Sequence, residues 1–235
     1  MSNSNICICT ATKRGDWGFP LTKSLIEHGL DGFTHTILNN KKGLAEVYNN
    51  CLDLAIQEKF DYIMFIHDDV HLEHDPRLKL EELFQKYDIV GVAGCSKAEM
   101  KSPALWHLMG GGFYNGYEPC HLHGAVGHFH MVEPSIGMRH KEKSITNFGY
   151  HPHRVVMIDG VFMAFNRKAI ETVRFDEDCP SKFHFYDLNL CARALEKGLK
   201  IGVGDVMITH ESPGLREFTE DWKKGEKYYL ETYGK

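Results

Sequence analysis

The chain has 235 residues, 43% of them hydrophobic and 25% charged, with a formal net charge of −5. That length suits one large α/β domain with at most a small appendage, and the composition supports a packed core. The acidic balance speaks against a broad nucleic-acid surface, and no run reaches the ~18 apolar residues of a membrane span. The first fifteen residues lack the basic start and apolar run of a secretory leader, so the chain reads as soluble and cytoplasmic. Seven cysteines is an odd number, and most sit in apolar runs. They read as reduced core thiols rather than a disulfide framework.

Asn5–Thr10 is a short apolar strand. Pro20 can open a helix that stops near Gly29, and Phe33–Leu38 is β-rich. Leu44, Val47, Tyr48, Cys51, Leu52 and Ala55 then recur at helical spacing and form one apolar stripe. Asp61–Ile66 is β-branched and aromatic, as a central strand should be. Asp75-Pro76 looks like a cap and first-turn proline for a helix to about Lys86, and Asp88–Ala93 is the next strand. This alternation implies a mostly parallel sheet covered by helices. Residues 94–153 break the rhythm, being rich in Gly and His with weak periodicity. Strand patterns return at Arg154–Ile158 and Val161–Phe165. Asn166 can cap a short helix to Val173, and another helix runs from Tyr186 to Lys197 and closes at Gly198. Lys200–Val203 and Val206–Thr209 read as a strand pair, and the tail from Arg216 as an amphipathic helix.

Three segments carry chemistry. His67-Asp68-Asp69 follows a strand too apolar to lie on a surface. In an open α/β sheet, ligands bind outside the carboxyl ends of strands, and two carboxylates there repel unless a cation sits between them. A polar turn whose aspartates cap the next helix would look the same from this segment alone. Asp187 falls in the first turn of its helix, where the helix dipole alone would favour a carboxylate. His210 ends a strand pattern just before Glu211-Ser212-Pro213-Gly214.

In their order and spacing, with the polar loop after the first strand and the helix carrying Tyr48-Asn49, these segments resemble the inverting, GT-A-fold glycosyltransferases of the family-2-like type. The resemblance is to a short bacterial and phage branch with His-Asp-Asp in place of Asp-x-Asp. It covers Cys7 to about Gly214 and is weakest over 96–153. It implies a Rossmann-like α/β fold: a mostly parallel central sheet with helices on both faces and a small antiparallel element near the acceptor side. The corresponding division is a nucleotide-binding half at 1–95, a variable acceptor or lid region at 96–153, an acceptor and catalytic half at 154–215, and a C-terminal helix at 216–235. It also implies a hexosyl- or pentosyltransferase using a nucleotide-sugar, a UDP-sugar by default, with Mn²⁺ or Mg²⁺. Thr10, Ala11, Thr12 and Arg14 would hold the base and ribose, and Asn49 would lie near the nucleotide. Asp69 and His210 would bind the metal, and Asp68 would face the ribose or a metal-supporting group. Asp159-Gly160 would line the donor-sugar and acceptor pocket. Asp187 would be the general base. His67 stands where the family often has its first Asp, and Tyr186 replaces a Glu.

The middle of the chain stays open. Cys120-His121-Leu122-His123, His128-Phe129-His130 and His151-Pro152-His153 invite a zinc reading, but Cys120, His121 and His123 are too close together for a standard structural site, and acceptor-loop histidines are the reading set against it. Trp106 and Gly110–Gly112 suit an aromatic-lined lid. Residues 139–154 hold four Lys/Arg and one Glu, the one local basic stretch. A surface glycan is the default acceptor, and a hydroxylated base in phage DNA rests on that stretch alone. A nucleotidyltransferase is the alternative enzyme, although the loop Thr10–Gly15 has only one Gly for cradling phosphate. A non-catalytic sugar- or nucleotide-binding module with a degenerate transferase fold is the alternative outside catalysis.

Overall fold

The computed structural model describes residues 5–97, 121–132, 140–211 and 217–234. Trp106, Gly110–Gly112, Cys120 and Ser212–Gly214 lie outside the described residues.

The first half folds as its periodicity predicts. β1 (Ile6–Ala11) leads through α1 (Pro20–Glu27) to β2 (Thr34–Ile37), and α2 (Leu44–Gln57) leads to β3 (Tyr62–Ile66). The stripe on α2 is buried residue for residue. β3 is buried along its whole length and its side chains alternate between two cores. Tyr62, Met64 and Ile66 face one, with α1 and with Leu80 and Leu83 of α3 (Arg77–Phe84). Ile63 and Phe65 face the other, with α2. Both faces of a central strand must be apolar for this, which is why the strand reads as a continuous hydrophobic run.

After α3 the chain divides between two sheets. β5 (Ile89–Gly91) stays in the large sheet, while β6 (Ala93–Cys95), two residues on, joins a second one. The sequence predicts one strand over this stretch. The switch occurs where backbones crowd. Gly124 has φ 98°, and a Cβ there would collide with the Val92 carbonyl. It belongs to β7 (Leu122–Val132), which pairs antiparallel with β6 and with β8 (His140–Gly149). This long hairpin gives regular structure to much of the stretch whose pattern is weakest.

β9 (His153–Val155), β10 (Met157–Ile158) and β11 (Phe162–Asn166) follow, then α4 (Arg167–Thr172), capped by the Asn166 side chain on the Ala169 amide. α5 (Tyr186–Glu196), β12 (Ile201–Val203), β13 (Ile208–His210) and α6 (Glu220–Tyr233) complete the chain. The large sheet runs β2-β1-β3-β11-β5-β12-β9. It is parallel through β2-β1-β3 and between β5 and β12, while β11 is antiparallel to both its neighbours. The second sheet runs β10-β6-β7-β13-β4, where β4 is Val70–Leu72. β12 and β13 therefore sit in different sheets instead of pairing with each other.

Helices cover both faces, giving the α/β architecture with a large central sheet. Each fully buried Phe or Ile contributes about 1.5–3 kcal/mol. Cys9 and Cys51 are joined as a disulfide between β1 and α2, a correction to the reading of all seven cysteines as thiols. Both lie in the core facing α2, where strand and helix periodicities bring them together. Cys7, Cys95, Cys179 and Cys191 are free. Among the described residues no helix is long and apolar enough to cross a membrane.

Candidate active site at the strand ends

The site begins where β3 runs out. His67, Asp68 and Asp69 form the turn between β3 and β4, so the chain leaves the large sheet at the acids and enters the second sheet directly after them. β4 pairs antiparallel with β13 in the register Val70↔His210. The Glu211 amide donates to the Asp69 carbonyl at 2.9 Å. That register, rather than proximity in sequence, sets His210 beside Asp69.

One ligand atom each from His67, Asp69 and His210 lie within 4.8 Å of one another. Nε2 of His210 is 3.2 Å from Oδ1 of Asp69. Both atoms are buried, and beyond this close approach neither finds a partner among the described residues. Two buried ligand atoms facing each other with no further partner fit a divalent cation between them. Without a cation, burial works against charge at both groups, but the pairing prevails. His210 is raised above the ordinary histidine range by Asp69, and Asp69 is held low by His210 and His67. Burial lowers His67.

β11 runs antiparallel to β3 with Phe162 opposite Ile66, so the turn Asp159-Gly160 that precedes β11 lies alongside His67. The His67 amide donates to the Val161 carbonyl at 3.1 Å. The Gly160 amide donates to Oδ2 of Asp187 at 2.9 Å, and the Leu188 amide donates to Oδ1 at 2.9 Å. A Cβ on Gly160 would strike the Tyr186 hydroxyl, so only glycine admits Tyr186 here. That hydroxyl lies 2.7 Å from Nε2 of His67. The Tyr186 ring packs among Tyr48 and Phe175 of an aromatic cluster that includes Phe65.

Asp187 has its pKa raised to about 7, first by burial and then by the charge of Asp159. The amides of Gly160 and Leu188 pull the other way without prevailing. A carboxyl group poised near neutrality can accept a proton at working pH. Phe185, just before it, takes a left-handed backbone with φ 67°, a rare conformation for a bulky residue. The Phe185 ring is held against Trp222 and Tyr229 of α6.

The loop after β1 reaches the same edge. Thr10 and Thr12 are buried, and their hydroxyls are engaged within the protein. Thr10 donates to the Ile66 carbonyl and Thr12 to the Asp68 carboxylate. These bonds tie the end of β1 to the end of β3. Ala11 is half-buried, whereas Lys13 and Arg14 are exposed. Lys13 lies over the Phe183 ring at 4.3 Å. Asn49 is not among the groups that gather here. Its amide binds both the carbonyl and the amide of Phe175 and reaches Glu177 at 2.6 Å, so it anchors that segment.

The sequence profile described as "Glycosyltransferase like family" matches residues 32–233. The chain belongs to this family. Its fold is similar to the crystal structure of A197 from STIV, with a TM-score of 0.53 at 12% identity, covering 88% of this chain and 86% of that one. None of the curated proteins matches it. The architecture is a GT-A-type α/β fold, and family membership supports glycosyl transfer as the class of reaction.

Within that frame, His128, one of the histidines that stand out in the middle of the sequence, has a neighbour the sequence does not reveal. β7 pairs parallel with β13 so that His128 faces His210 in register, their rings 6.4 Å apart. Burial lowers its pKa, and His210 adds to the effect. Nothing local in Gly127-His128-Phe129 signals this, because the pairing partner lies some eighty residues away.

Proposed function

We propose that the protein is a metal-dependent inverting glycosyltransferase that moves a sugar from a nucleotide-sugar to an acceptor hydroxyl. The observation behind this reading is one juxtaposition at the strand ends. A cluster of His67, Asp69 and His210 suited to a cation shares the Asp159-Gly160 turn with a carboxyl group held near neutrality.

A divalent cation held by Asp69 and His210 would neutralise the charge developing on the nucleoside diphosphate leaving group. Lys13 and Arg14 would bind the nucleotide, with Thr12 bracing the loop through Asp68. The acceptor oxygen forms its bond to the anomeric carbon as the bond to the diphosphate oxygen breaks, and the acceptor proton passes to Asp187. The Gly160 and Leu188 amides fix that carboxylate, and burial, with the charge of Asp159, keeps it basic. A single displacement of this kind inverts the anomeric centre. Mn²⁺ suits the imidazole in the site, and a UDP-sugar is the donor to try first. A glycan hydroxyl is the acceptor we favour over DNA, because Lys143 of the basic stretch is already paired with Glu73 at 2.7 Å.

The test is a panel of nucleotide-sugars and glycan acceptors with Mn²⁺ or with a chelator, followed by NMR of the product. Metal-dependent release of nucleoside diphosphate with inverted product is expected. Metal-independent transfer, or a retained anomeric configuration, would overturn the mechanism.

A further inference from the structure

We propose that His67 is a third protein ligand of the cation site, set in place by Tyr186, and that the resulting two-imidazole, one-carboxylate set selects Mn²⁺ over Mg²⁺. The inference rests on the cation reading above and adds to it a ligand, a positioning residue and a selectivity.

Three observations carry it. His67 brings a ring nitrogen within 4.8 Å of the ligand atoms of Asp69 and His210, so one ion can reach all three. Its other contacts fix the ring. Nε2 is engaged by the Tyr186 hydroxyl at 2.7 Å, so in this proposal the cation takes Nδ1. A histidine that binds a metal through one ring nitrogen is usually held through the other by an outer partner, which sets its tautomer and orientation. Tyr186 is itself locked. It is 5% exposed, its ring is wedged against Tyr48 and Phe175, and the missing Cβ of Gly160 is what leaves room for its hydroxyl. The His67 backbone is pinned to Val161. Ring position is therefore set from three sides before any ion arrives.

Selectivity follows from the donor atoms. Mg²⁺ prefers oxygen ligands in near-octahedral array and binds through carboxylates, phosphates and water. Imidazole suits transition metals. One imidazole only tilts that preference, whereas two with a single carboxylate remove most of the anionic oxygen that Mg²⁺ needs. Tyr186 is a positioning residue in this scheme, because it reaches the ion only through His67.

The experiment uses the full chain without nucleotide. Calorimetric titration should give Mn²⁺ binding at least roughly tenfold tighter than Mg²⁺. Pulsed electron paramagnetic resonance of bound Mn²⁺ should show couplings to two imidazole nitrogens. His67→Ala should leave one such coupling and weaken Mn²⁺ by more than the roughly 10–100-fold typical of losing an outer partner. Tyr186→Phe, which keeps the ring and removes only the hydroxyl, should keep both couplings and fall within that roughly 10–100-fold range. A single nitrogen coupling in the native protein overturns the proposal without any variant having to fold. So does Mn²⁺ affinity within about twofold of native in His67→Ala. Asp69→Ala separates the two levels: if it loses Mn²⁺ while His67→Ala does not, only the role of His67 fails. If both keep it, the cation reading fails with it.

Discussion

The two sheets meet at one site but are written in different languages. Large-sheet strands such as β3 are covered on both faces and are apolar throughout. β8, in the second sheet, runs along an edge with Glu142–Thr146 exposed, and its partner β7 carries Gly and His among its apolar residues. The first kind of strand is specified by burial. The second is specified by pairing with distant partners. The candidate cation site takes His67 and Asp69 from the turn that joins the sheets, and His210 from the second sheet. Under the proposed function, the large sheet would position the nucleotide and the seam between the sheets would supply the chemistry.

The strongest way to break that division is at the seam. Asp69→Ala and His210→Ala should each abolish metal-dependent binding of nucleoside diphosphate, although they come from different strands. Their losses should exceed the roughly 10–100-fold cost of disturbing an outer partner of a metal ligand. Undiminished metal-dependent affinity in Asp69→Ala, measured by calorimetry, would remove the metal assignment.

Next comes Asp187→Asn. Its kcat should fall by a factor on the order of 10²–10⁴ with donor KM nearly constant, because the base acts only as the acceptor proton departs. The native rate should rise with pH through about 7 and then level off, following deprotonation of Asp187. Stability should move in the opposite direction. The folded-state pKa of about 7 lies above the ordinary carboxylate range, so the folded protein retains a proton that the unfolded chain has lost. This group's contribution is full below about pH 4 and is lost as pH climbs through about 7. Both carboxylate oxygens accept backbone amides, and Asn can keep only one of these bonds, a loss of about 1 kcal/mol. Melting curves should therefore place Asp187→Asn below native at pH 5 and show the gap narrowing by pH 8. A gap that widens with pH would contradict the assignment.

Arg14→Ala tests the large-sheet side. It should weaken nucleoside diphosphate binding by roughly 10- to 100-fold, the worth of a charge-assisted contact, and leave acceptor KM alone. A change within about twofold would take Arg14 out of the nucleotide site. Lys143→Ala should do least. Its bridge to Glu73 is partly exposed, so stability should drop by no more than about 1 kcal/mol, with nucleotide affinity unchanged. A nucleotide effect here would blur the division between the sheets.

Legibility in the sequence follows the same line. α2 and β3 were readable because helical and strand periods, set by nearby residues, already separate inside from outside. Pro20, the Asn166 cap and Gly198 marked helix ends by local chemistry. The β7–β8 hairpin, the split of β5 from β6 and the parting of β12 from β13 were not readable, because partner and register are properties of the assembled sheets. The site divides likewise. Asp69, His210 and Asp187 could be picked from strand-end and helix-start positions. The resemblance places Thr10, Thr12 and Asn49 near the nucleotide; their partners within the protein, the Ile66 carbonyl, Asp68 and Phe175, depend on the assembled fold and are not legible in the sequence. His128 stands out in the sequence as part of a histidine cluster, but its pairing with His210 lies beyond local inference.

The left-handed turn at Phe185 has a consequence for the order of events during synthesis. Its ring rests on Trp222, Tyr229 and the bare backbone of Gly225, all in α6. A ribosome releases the Asp187 turn well before it releases α6, so a nascent chain can complete β1, β3 and their loops while the turn still lacks its clamp. The Gly160 and Leu188 amides hold the carboxylate itself, so what α6 adds on docking is a clamp on the costly backbone of the residue just before it.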